Sequence, residues 1–193
     1  MIDSGAFSHN HYLLKRQLFK LLGQNFRVYD PGGNMVLFSH QKAFKLREDI
    51  RIYGDEAKTR EILTIQARQI IDFSAAYDVV DVTKQEKVGA LKRKGWSSIV
   101  RDKWIVMDAN DLEIGTIEED NVGLALVRRF LTNLIPQNYD LLMQGRKAVD
   151  LKQRFNPFVY HMDIDFGSQT PLIDRRLGIA SGILLAAVEG RQG

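Results

Sequence analysis

The chain has 193 residues, and its 27 Lys and Arg against 24 Asp and Glu give a formal charge of +3. A hydrophobic share of 45% with 26% charged residues and only 4 Pro excludes collagen-like, coiled-coil and disordered classes, leaving room for one domain or a tight pair of small ones. The absence of Cys excludes a disulfide framework, a thiolate metal site and a thiol nucleophile, and so mild a charge does not imply a nucleic-acid binder.

Met1 to Asn10 carry no apolar run and no basic lead-in, so no secretory signal is expected and the expected setting is cytoplasmic. Up to about Tyr12 the chain reads as flexible, and residues 1–193 read as a single domain. A repeat then begins. Arg16-Gln17-Leu18-Phe19 precedes Phe26-Arg27-Val28-Tyr29-Asp30, and Gln41-Lys42-Ala43-Phe44 precedes Ile50-Arg51-Ile52-Tyr53, with Asp55 just beyond. Arg68-Gln69-Ile70-Ile71 precedes Tyr77-Asp78-Val79-Val80-Asp81, and Arg93-Lys94-Gly95-Trp96 precedes Trp104-Ile105-Val106-Met107-Asp108. The closing residues Phe19, Phe44, Ile71 and Trp96 stand 25, 27 and 25 positions apart.

Within each unit Phe26 and Val28, Ile50 and Ile52, Tyr77 and Val79, and Trp104 and Val106 alternate with polar or smaller neighbours. A period of two in aromatic and β-branched residues marks a strand with one buried face. Turn-forming runs follow, such as Asp30-Pro31-Gly32-Gly33-Asn34 and Asp108-Ala109-Asn110-Asp111, and apolar text resumes at Met35, Glu61 and Leu112. The units therefore read as hairpins of an antiparallel meander. From Asn121 the spacing of Leu124, Val127, Phe130, Leu131 and Leu134 becomes helical, which predicts an amphipathic helix near 121–135 that Pro136 ends. Strand-like text returns at Tyr139–Met143, turns at Gly145, and echoes the repeat once more from Lys152 to Asp163.

Asp174 then opens Leu177-Gly178-Ile179-Ala180-Ser181-Gly182-Ile183-Leu184-Leu185-Ala186-Ala187-Val188, in which only Ser181 is polar. Asp174 suits an N-cap and Gly190 a C-cap. A helix apolar all round must be enclosed by protein or lipid. Its apolar run of 12 residues spans roughly 18 Å, well short of the ~30 Å hydrocarbon core, which favours enclosure by protein. Gly178 and Gly182 fit the small-residue spacing of membrane helix pairs, but equally admit the close approach of a strand wall. The expected fold is mainly β: a closed antiparallel barrel with the C-terminal helix threaded through it, closure removing exposed edges and the helix demanding more than the ~8 strands that fill a barrel unaided.

These features resemble the tubby C-terminal-like superfamily, and within it the LURP-one-related and phospholipid-scramblase-like proteins. The resemblance runs from about Tyr12 to Gly190 and is most specific at Gln41-Lys42-Ala43-Phe44-Lys45-Leu46, Arg154-Phe155-Asn156-Pro157-Phe158, and Asp174-Arg175-Arg176-Leu177 with the helix that follows. It implies a twelve-stranded barrel around a hydrophobic helix and no enzymatic activity. It also implies possible phospholipid recognition, since tubby members bind phosphoinositide headgroups through surface basic residues and scramblase members act on phospholipids. The Pro-rich tail, cysteine-rich segment and calcium stretch of animal scramblases have no counterpart here, as Asp108–Gly115 lacks the ligand spacing of an EF-hand loop.

Charge is unevenly spread: Lys84 to Lys103 carries +5 in 20 residues, and Asp108 to Asp120 carries −6 in 13. Lys92, Arg93, Lys94, Arg101 and Lys103, with Trp96, are the candidate binders of an anionic phospholipid headgroup. The competing reading makes them the solvated face of two strands, with Trp96 turned inward. His9 and His11, with His40 and His161 remote in sequence, do not complete a metal site, and no metal or cofactor is expected. Gly95-Trp96-Ser97-Ser98 departs from the nucleophile-elbow pattern, no phosphate-cradling glycine loop appears, and Asp163 with Asp165, two apart on one strand face, is a candidate acid–base pair, the competing reading being that they end a strand in a turn. Three functions stay open: a non-enzymatic ligand-binding or scaffold domain, a peripheral phospholipid binder at the inner membrane leaflet, and an enzyme using that carboxylate pair.

Overall fold

In a computed structural model of the chain, which describes residues 5–19, 23–41, 49–68, 75–94, 103–119, 136–156, 159–168 and 170–188, every alternating segment of the repeat is a strand. The strands are β1 (His11–Phe19), β2 (Gly23–Tyr29), β3 (Met35–Gln41), β4 (Ile50–Tyr53), β5 (Glu61–Ala67) and β6 (Ala76–Asp81). They continue as β7 (Glu86–Arg93), β8 (Lys103–Met107), β9 (Glu113–Glu119), β10 (Asn138–Met143), β11 (Arg146–Arg154) and β12 (Tyr160–Asp165). Each pairs with its neighbours in sequence, and β12 returns to β1 in register from His11 opposite Asp165 to Arg16 opposite Tyr160, closing the barrel. The segment 121–135, for which an amphipathic helix is expected, lies outside the described residues, as do Trp96, Arg101 and Gly190.

The alternation decides which side chains face inward. Phe26, Val28, Ile50, Ile52, Val79, Trp104 and Val106 are all buried, while Tyr77 is half-buried against the same core. What they pack around is α1 (Arg175–Val188), whose residues from Leu177 to Ala187 are buried without a break. Enclosing each large aliphatic side chain contributes roughly 1.5–3 kcal/mol. Among the described residues no helix is long and apolar enough to cross a membrane.

A helix can sit this close to the wall only where its surface is low. A Cβ at Gly178 would stand 2.6 Å from the Phe166 ring, and one at Gly182 would stand 2.9 Å from Ile164. The buried Ser181 hydroxyl donates to the Leu177 carbonyl at 2.8 Å, a bond made within the helix that asks nothing of the wall.

The two ends of the helix are held by different arginines. At the far mouth Arg16 of β1, itself buried, donates from Nη1 to the Ala186 carbonyl at 2.5 Å and lies 4.5 Å over the Tyr160 ring. A cation at a helix C-terminus meets both the unsatisfied carbonyls and the negative end of the dipole. Beside it Gln24 donates from Nε2 to Gln41 Oε1 across β2 and β3. At the entry mouth Asp174 caps α1: its carbonyl accepts from Gly178 N–H at 3.1 Å and its Oδ1 accepts from Arg176 N–H at 2.8 Å.

Residues 5–10 of the amino-terminal segment meet the barrel through single contacts. Ala6 is buried in the core, His9 N–H donates to the Tyr12 hydroxyl at 3.0 Å, and Phe166 N–H donates to the Asn10 carbonyl at 2.8 Å. Gly178→Val should lower unfolding free energy by about 1–3 kcal/mol through overpacking against Phe166; Ser181→Ala should shift it by less than about 1 kcal/mol. Urea denaturation followed by tryptophan fluorescence measures both.

Candidate functional site

With the lumen filled by α1, space for a ligand lies at the rim. A cavity of about 570 Å³ opens at the entry mouth, lined by Phe7, Ile62, the β6–β7 turn, the segment 170–173 and the first residues of α1. This is within the size range of ordinary small-molecule sites.

The turn that forms one wall follows a rule repeated around this mouth. Asp30, Asp55, Asp81 and Asp108 each close a hairpin by accepting backbone N–H groups from the residues that follow. Such aspartates mimic a backbone turn. Left-handed backbone at Gly33, Lys58, Gln85 and Asp111 completes all four of these turns. Asp30 and Asp55 are held below the ordinary carboxylate value, chiefly by the side-chain hydrogen bond from Asn34 and the backbone hydrogen bond from Thr59 respectively.

Asp81 departs from the other three. It is buried, and while Oδ1 takes bonds from Thr83 N–H at 3.0 Å and Thr83 hydroxyl at 2.6 Å, Oδ2 receives Arg176 Nη1 at 2.6 Å. Arg176 Nη1 also meets Glu86 Oε1 at 2.6 Å, and its Nη2 meets Asp174 Oδ2 at 2.6 Å. Burial pushes the Asp81 carboxyl up, but the hydrogen bonds from Thr83 and Arg176 together outweigh it and leave the group below its ordinary 3.8. The Asp174 hydrogen bond foremost holds Arg176 firmly charged. A guanidinium in the first turn of a helix opposes the dipole; here three carboxylates offset that opposition and fasten the helix entry to β6 and β7.

The opposite wall is apolar, with half-buried Phe7, buried Ile62 and Ile173, and Leu172, which is 41% exposed. Lys84 stands at the opening, its Nζ 3.8 Å from Glu86. Arg175 lines the cavity too, donating from Nη2 to Asn10 Oδ1 at 2.6 Å.

The described residues among those selected from sequence lie at the far mouth, where Lys94 N–H donates to the Lys103 carbonyl at 2.9 Å across β7 and β8. Lys92 and Lys94 are exposed near the end of β7; Arg93 is half-buried opposite the inward-facing Trp104; Lys103 is bonded to Glu118 at 2.6 Å; Arg101 lies outside the described residues. The basic and acidic stretches meet across the strands, for Lys87 Nζ also binds Asp111 at 2.6 Å. Arg68 joins that group through Asp78, at 2.9 and 2.6 Å, and through Asp111.

The carboxylate pair is divided. Asp163 receives Arg154 at 2.7 Å on both oxygens, and Asp165 accepts from Gly167 N–H at 2.8 Å to turn the chain. His9 and His11 face Asp30 and Asp163 separately, and no group of three metal-ligating side chains occurs among the described residues. The signal for the rim cavity was two adjacent arginines behind an N-cap aspartate, an arrangement the helix dipole disfavours unless carboxylates converge there.

The family model for LURP-one-related proteins matches residues 35–173. A solved structure of a protein from Arabidopsis thaliana, 13% identical, covers 94% of this chain and 92% of its own, with a TM-score of 0.51, so the likeness is one of fold. No curated protein sequence matches the chain.

Arg176→Met should cost about 3–5 kcal/mol, because it strips a buried carboxylate of its charged partner. The depressed Asp81 carboxyl stabilises the fold above pH 3.8 and ceases to do so as pH falls through its folded value. Asp81→Asn should therefore lower the melting temperature at pH 7 and flatten its decline below pH 4 (about one carboxyl's worth of proton uptake), as read by calorimetry across pH.

Proposed function

Because the chain belongs to the LURP-one-related family, whose strands here enclose a helix, we propose that it is a non-catalytic ligand-binding domain and that its site is the entry-mouth cavity. The observation that carries this reading is a cavity of about 570 Å³ with one apolar wall and one ionic wall, placed where the helix, the amino-terminal segment and the β6–β7 turn meet. Its acids are committed to structure: Asp81 and Asp174 both bind Arg176, which leaves neither poised to exchange a proton near neutrality. A committed ionic wall suits recognition rather than acid–base chemistry.

A fragment screen by NMR on the intact protein tests this. Bound fragments should shift the resonances of Phe7, Ile62, Leu172 and Ile173, and Leu172→Trp, which fills the cavity from a half-exposed position, should abolish binding while keeping the fold. Fragments that map elsewhere, or none at all, would remove the reading.

A second reading concerns the far mouth, where Lys92 and Lys94 are exposed and Phe155 is 65% exposed. The odd-numbered strands end there, so these residues flank one opening. A basic pair and an exposed aromatic on the rim of one mouth suit peripheral contact with an anionic phospholipid surface. Replacing Lys92 and Lys94 with Ala should weaken pelleting with phosphatidylserine vesicles by about 2 kcal/mol, roughly thirtyfold. Pelleting that is absent, or that survives the double substitution unchanged, excludes it.

A further inference from the structure

Resting on the cavity reading above, we infer that the entry-mouth site takes a small acidic amphiphile: one anionic group on an apolar body, with Arg175 as the residue that binds the acid. The cations around the cavity are unequally engaged. Arg176 is held by Asp81, Glu86 and Asp174, and Lys84 lies within ion-pair reach of Glu86. Arg175 has a neutral partner, the Asn10 side chain, and among the described residues no carboxylate lies within ion-pair distance of it. Arg175 therefore lines the cavity as a guanidinium without a carboxylate partner, the group that an arriving acid would pair with.

The neighbouring surface sets the rest of the ligand. Phe7, Ile62, Pro171, Leu172 and Ile173 are apolar and line the same cavity. A cationic ligand would meet no unengaged carboxylate, since Asp81 and Asp174 are already bound to Arg176. A neutral apolar ligand would cover the hydrophobic wall and leave the Arg175 guanidinium without an anionic partner. An acid with an apolar tail satisfies both walls. Fatty and aromatic acids share this chemistry, and the arms of the test below can be repeated with either.

Octanoate, 1-octanol and octylammonium are titrated into the full chain, with binding followed through the methyl resonances of Ile62, Leu172 and Ile173. Octanoate should bind at least about tenfold more tightly than either of the others, the margin expected of a hydrogen bond to a charged group. Arg175→Gln should erase that margin and Arg175→Lys should retain most of it, with calorimetry confirming that each variant folds. If Arg175→Gln does not fold, the ratio of octanoate to octanol affinity and its decline with salt decide the matter in the native protein. Equal affinity for octanoate and octanol, both at the cavity, would overturn the acid-binding inference and leave the cavity reading intact. No shift at these residues with any probe would overturn both.

Discussion

A helix with no polar face is the constraint on which this molecule is built. From Leu177 to Ala187 every side chain is buried, so water cannot be tolerated on any side. A flat sheet would cover one face and leave the other wet. A closed wall of strands covers all of them, and closure also removes the sheet edges that would otherwise recruit other chains. The narrow side of the helix, at Gly178 and Gly182, shows how tightly that wall is drawn, with Phe166 and Ile164 in the space a side chain would need.

Enclosure makes the helix ends expensive, because each leaves backbone groups unsatisfied within or beside an apolar interior. The protein handles the two ends with arginine in opposite electrostatic settings. Arg16 meets the carbonyl end, where its charge is favoured. Arg176 sits at the amide end, where it is disfavoured, and is held there by Asp81, Glu86 and Asp174. The same filling of the lumen explains why the ligand space lies at a mouth: the interior is core, and the unevenness needed for a cavity arises where the helix, a hairpin turn and the amino-terminal segment meet.

The uneven charge along the sequence illustrates how linear clusters mislead. A stretch of +5 and one of −6 suggest separate patches, yet their described residues lie on β7, β8 and β9 and the turns Lys84 and Asp111 belong to, where antiparallel pairing sets them side by side. Lys103 meets Glu118 and Lys87 meets Asp111. Of the candidate headgroup binders Lys103 is paired in this way, while Lys92 and Lys94 are exposed at the end of β7.

Local periodicity determined the strands, their inward faces and the all-apolar helix, because alternation and helical spacing are properties of neighbouring residues that survive without tertiary context. Asp30 and Asp108 were visible as turn residues, and Asp55 and Asp81 stand at the corresponding places of their own repeat units. Their sequence settings do not distinguish them, and in the fold all four close turns in the same way. Tertiary structure alone decided that Asp81 also reaches across to Arg176, 95 positions away, and that Arg175 ends beside Asn10 at the edge of a cavity. Those contacts depend on where barrel closure delivers the first turn of the helix, and no periodicity in the chain encodes that distance.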